Sequence, residues 1–185
     1  MKYFSYILFC CLLSISCSAS DLPDLSDVDK GDLIFIQDEG QYIHIGMVTD
    51  VLESIPDPVI SVVHASVIHG VVEVSLQDFL KECFKRKGHR AAVFKKFTFD
   101  YQRFTPGIVK NALSYINRPY DYTFTFPLDH SPISMCCSAV IYYACKSFNI
   151  FALSPMKFEG VGWDQHFANL ELVKPDGELG VDPTD

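Results

Sequence analysis

The chain has no block of lysine and arginine of the kind that tracks phosphates. Its formal net charge is −8, and its one basic stretch, Lys81 to Arg90, holds five basic residues and one acid. That stretch falls on an expected helix end and turn, where it reads as a solvated face, so nucleic acid is a poor candidate partner. There is no CxxC pair and no Cys/His spacing of the zinc type, so neither a metal nor any other cofactor is expected. No internal repeat or low-complexity block appears. Disulfide-framework spacing is lacking too. With the first twenty residues removed, Cys83, Cys136, Cys137 and Cys145 remain, and neighbours such as Cys136 and Cys137 pair only with strain.

What is present is enough apolar sequence for one core. Of 185 residues, 49% are hydrophobic and 21% charged, the balance of a folded globular domain. Residues 1–20 read as a secretory signal peptide. Lys2 opens it, Tyr3 to Ile15 is apolar but too short for a confident membrane span, and Ser16-Cys17-Ser18-Ala19-Ser20 is a run of small residues. Cleavage after Ala19 or Ser20 fits; alternatively Cys17 carries the lipid of a lipoprotein and associates the chain with a membrane. Either way the expected location is outside the cytoplasm, and 21–185 is read as a single domain.

Leu33 to Gln37, Tyr42 to Thr49, Val59 to Ala65 and Gly70 to Val74 read as four strands with short connections, hence an antiparallel sheet in an α+β fold. Alternation along the second strand puts His44 on one face with Tyr42 and Gly46, and Ile43, Ile45 and Met47 on the other. His64 ends the third strand, and His69 falls in the following turn as an exposed loop residue. Ser75 caps a helix running to Phe84, and Arg90 to Phe99 is a further strand. Thr105-Pro106 reads as cap and first-turn proline of a helix ending near Asn117. Trp163, His166 and Phe167 fit a short helix, and Lys174 to Asp185 a polar tail.

Cys137 heads the most informative stretch. Val140, Ile141, Ala144, Cys145 and Phe148 follow it at helical spacing, with Ser131-Pro132 or Ser134 as the expected start. A helix N-terminus favours a thiolate over a thiol. A reactive sulfur also needs an imidazole and a group that orients it, and His44 and His64, on neighbouring strands, are the candidates. Each could instead be a core histidine. The aromatic run Pro119 to Pro127 is either plain packing or a substrate wall.

In order, Gly31-Asp32-Leu33-Ile34-Phe35, His44-Ile45-Gly46-Met47-Val48, Val63-His64-Ala65 with Gly70-Val71, Pro119-Tyr120-Asp121 and Cys137-Ser138-Ala139-Val140 resemble the YiiX/YebB-like cysteine hydrolases. These are a circularly permuted branch of the NlpC-type, papain-like enzymes, and the resemblance spans Lys30 to Phe148. It implies a permuted papain-like fold with the histidine strand before the cysteine helix. It implies Cys137 as nucleophile, His44 as general base, His64 as the third polar residue, and helix-start N–H groups, including that of Cys137, as oxyanion donors. Tyr120 and Asp121 fall in its tyrosine-aspartate motif and are the candidate substrate contacts. Ala139 stands where the family commonly has glutamate. Cys136 stands where an aromatic residue is usual, which leaves two thiols to choose between. The expected activity is an exported amidase or peptidase, by analogy on cell-wall peptides. The alternatives are a lipid acyl hydrolase or acyltransferase working through a thioester, or a non-catalytic binding module on the same fold.

Overall fold

The computed structural model describes residues 25–38, 41–54, 58–84, 90–97, 102–124, 132–150, 156–157, 167–168 and 179–180. The leader, Cys17, Ser131, Trp163, His166 and most of the tail lie outside them. The expected α+β class is what the chain adopts. Strands β1 (Leu33–Asp38), β2 (Gln41–Leu52), β3 (Val59–Ser66), β4 (Gly70–Ser75) and β5 (Arg90–Lys95) form one sheet in the order β4-β3-β2-β1-β5, antiparallel throughout. Helix α1 (Leu76–Cys83) follows β4, α2 (Thr105–Leu113) follows β5, and α3 (Cys137–Lys146) carries the thiol. A 3-10 turn at Leu25–Asp27 precedes β1, and a two-stranded pair, β6 (Met156–Lys157) with β7 (Leu179–Gly180), lies late in the chain.

The sheet is covered on both faces, which explains why β1 is apolar without alternation. Leu33 and Phe35 pack with Ile45, Met47, Val63 and Ala65 against α2 and α3. Ile34 and Ile36 pack with Val48, Val62, Leu76 and Phe79 on the α1 side. α1 starts as its sequence dictates, with the Ser75 hydroxyl accepting from the Asp78 N–H at 3.1 Å.

Three expected details need correction. Thr105 is the first residue of α2 and not its cap; Phe104 holds that position without a side-chain bond. α3 does not start from Ser134. Met135 is held in a parallel bridge with Tyr120, donating to the Pro119 carbonyl at 2.9 Å and accepting from the Asp121 N–H at 3.2 Å. The chain is therefore extended until Cys136, which is the N-cap at φ −81° and ψ 173°, and Cys137 is the first helical residue. Finally, the register of β2 on β1 slips: Ile36 faces His44, but Gln37 faces Tyr42. Ile43 is thus the extra residue of a β-bulge. Tyr42 packs with the α3-side core while Ile43 packs on the α1 side, so His44 shares a face with Gly46 but not with Tyr42. Simple alternation cannot anticipate that shift.

Gly70 fixes the sheet to the segment before the thiol. Its φ is +71°, and a Cβ there would lie 2.2 Å from the Arg118 carbonyl oxygen. Val71 N–H donates to that same oxygen at 2.8 Å, and Asn117 N–H donates to the Val71 carbonyl at 2.9 Å. Gly70→Ala meets both a disfavoured backbone and a rigid carbonyl, so it destabilises by about 2 kcal/mol. A urea melt with unchanged midpoint would refute this.

Candidate active site

Two strands and a helix bring the imidazoles together. His44 Nε2 lies 3.0 Å from His64 Nδ1, with the rings edge-on at 86°. Phe79 of α1 lies against both: its ring stacks on His44 at 5.6 Å between centroids and meets His64 edge-on at 5.0 Å. Gly46 makes this possible, since a Cβ there would come within 3.0 Å of Phe79 and 2.7 Å of Val62. His64 is 0% exposed. Burial lowers its pKa to about 4, with Glu82 opposing the shift and His69 adding to it. His64 is therefore neutral near pH 7 and able to orient His44 without competing for its charge.

The thiol is placed differently. Cys137 is 4% exposed, at the first position of α3, among the core residues on the α3 side of the sheet. The N–H groups of the first helical turn have no acceptor within the helix and carry its positive end. Cys136, the cap, is fully buried with its Sγ 3.3 Å from the Ser138 hydroxyl. Tyr120 stands beside both sulfurs. Burial first, and then the Cys137 and Cys136 sulfurs, push its phenol well above the ordinary range, so it is a permanent O–H donor near the thiols. Cys145, further along the helix, is pushed up to about 12 by burial and is inert.

Asp121 is buried and turns inward: its Oδ1 accepts from the Thr123 N–H at 2.9 Å and from the Thr123 hydroxyl at 2.7 Å. These bonds shape the loop that carries Tyr120. Its ring pairs with Tyr122 at 5.0 Å, and the Tyr122 hydroxyl donates to the Val67 carbonyl at 2.8 Å. That bond ties the thiol's neighbour to the β3–β4 turn, three residues after His64.

The structure therefore brings His44 to His64, and Tyr120 to Cys137. The imidazole pair and the thiol share one end of the sheet, and they approach it from different faces. His44 follows directly on the Ile43 bulge, a feature that bends a strand and re-aims its side chains. The residue that sequence reading passed over is Glu82. Ser66 donates to its carboxylate at 2.7 Å, and its charge acts on His64. The only trace of it in the sequence is an acid one helical turn after Phe79. Comparisons with family models, with characterised proteins and with solved structures return no match for this chain.

Proposed function

We propose that the chain is an exported thiol-dependent hydrolase of permuted papain-like architecture that cleaves an amide bond. The single observation that carries the reading is the 3.0 Å bond between His44 and His64, two buried or half-buried imidazoles from separate strands, with a cysteine heading a helix at the same end of the sheet. In this reading Cys137 Sγ attacks the carbonyl carbon and His44 takes the thiol proton. His44 then returns the proton to the leaving amine as the C–N bond breaks, leaving a thioester and free amine. Water, deprotonated by the same imidazole, adds to the thioester and releases the acid and the thiol. Helix-start N–H groups receive the oxyanion, and the Tyr120 hydroxyl is a further donor beside it. The chemistry requires the His44 ring and the thiol to meet at the sheet end beside the bulge.

One observation favours a second reading, an acyl-lipid hydrolase or acyltransferase using the same thiol. Val67, Ile68, Tyr122 and Ile133 are exposed large apolar residues. The first two lie in the β3–β4 turn, the third bonds to it, and Ile133 follows Pro132, whose carbonyl accepts from Arg118. They gather near the thiol's end of the sheet, where an acyl chain would have to enter. Export rests on the leader sequence; among the described residues no helix is long and apolar enough to cross a membrane.

Incubating the pure protein with a muropeptide mixture and, separately, with short-chain lipid esters distinguishes the two. The amide reading expects new amine and carboxyl termini by mass from the first set only. Turnover confined to the esters replaces it with the acyl reading. No turnover of either, with intact wild-type thiol labelling, sinks the hydrolase proposal for both classes.

A further inference from the structure

We propose that Glu82 is a positioning residue for the imidazole pair, holding the ring proton of His64 on Nε2 so that Nδ1 accepts from His44. This rests on the reading of His44 and His64 as the base and its orienter. The hydrogen bonding of His64 is incomplete. His64 is fully buried, its Nδ1 faces His44 at 3.0 Å, and its Nε2 has no hydrogen-bond partner among the described residues. A neutral imidazole has one donor nitrogen and one acceptor nitrogen. If the proton sat on Nδ1, His64 would donate to His44 Nε2. His44 could then not present an Nε2–H, and an imidazolium on His44 would meet a donor instead of an acceptor. With the proton on Nε2 the pair is set for base chemistry, but a buried N–H then needs something negative to answer it.

Glu82 is placed to be that group. It lies three residues after Phe79 on α1, on the side of the helix that carries Phe79 against both rings. Its carboxylate is held in place by Ser66, which belongs to β3 two residues beyond His64 and so shares its face of the sheet. Ser66 is itself buried and saturated. It donates to Glu82 at 2.7 Å and accepts from the N–H groups of Ile68 and His69, each at 3.2 Å. Ser66 therefore serves to fix the carboxylate and has no donor left for His64. The groups whose charge reaches His64 are Glu82 from α1 and His69 from the turn, with His44 of β2 as the direct bonding partner. Among them Glu82 alone is negative. Nδ1 is turned to His44, so Nε2 is the nitrogen left to respond to that charge, directly or through one bridging water.

Nitrogen-15 correlation spectra of histidine-labelled protein report tautomers without any substrate. The full chain at pH 7 is expected to show His64 protonated at Nε2. Glu82→Gln, which keeps the size of the side chain and its oxygen for Ser66, is expected to move His64 toward the Nδ1–H form. It should also lower the titration midpoint of His64. A wild-type His64 protonated at Nδ1 overturns the proposal, as does a Glu82→Gln spectrum identical to wild type. Because the readout is spectroscopic, a correct tautomer in a protein that turns over nothing would sink the hydrolase reading and leave this one standing.

Discussion

Cys137→Ala and Cys137→Ser are expected to abolish turnover, by at least about 10⁴-fold, and to end labelling of the peptide that carries residues 136 and 137 by iodoacetamide at neutral pH, while Cys136→Ala keeps most of both; the half-buried Cys83 is scored separately by peptide mapping. The two thiols are neighbours in sequence but not in circumstance. Cys136 is the N-cap, in extended backbone, with its sulfur sealed from solvent and engaged with the Ser138 hydroxyl at 3.3 Å. Cys137 is the first residue inside the helix, where the field of the helix start acts directly on its sulfur. It retains slight exposure, and of the two it acts more strongly on the Tyr120 phenol. The serine variant preserves the packing of this buried position, so loss of labelling there cannot be blamed on a collapsed core. Cys145 serves as an internal control, because a thiol pushed up to about 12 stays unlabelled in the native protein and reacts once the chain is unfolded. Labelling that survives in Cys137→Ser and vanishes in Cys136→Ala would transfer the nucleophile to the cap residue.

Much of this was legible from residue patterns, and the failures have identifiable causes. The four strands from β1 to β4, their antiparallel pairing and the Ser75 cap follow from periodicity and turn chemistry, because each is decided by contacts close in sequence. The pairing of His44 with His64 was within reach because both fall near one end of adjacent antiparallel strands. What could not be read was anything set by a distant partner. The start of α3 is decided by Tyr120, fifteen positions upstream of Met135, which pins that residue in an extended bridge and overrides the serine that local preference would choose. The bulge at Ile43 is a matter of register between two strands, and it redistributes Tyr42 and Ile43 between the two faces. Glu82 carries no motif at all; it matters because α1 folds back over β3 and delivers it to Ser66.

Acid weakens this fold through His64, and the sign follows from the direction of its shift. In the unfolded chain its imidazole has the ordinary value of 6.5, and in the folded protein burial brings it down to about 4. Between those two values the unfolded chain binds the extra proton, so folding stability falls as the pH is lowered from about 6.5 and levels out below about 4. The full effect is roughly 3 kcal/mol, at 1.36 kcal/mol for each unit of separation, which is a large part of the stability of a domain of this size. Glu82 is what keeps the separation from being greater. Urea melts between pH 7.5 and 4 on the wild type and on His64→Gln isolate the term, since all other titrating groups are common to both proteins. The wild-type midpoint is expected to fall more steeply than that of the variant across this window, and the gap between the curves should narrow toward acid as the wild type loses the advantage of a neutral, well-packed imidazole. Parallel curves from pH 6.5 to 4 would mean that His64 is not buried in the neutral form, and the orienting role assigned to it would fail with that result.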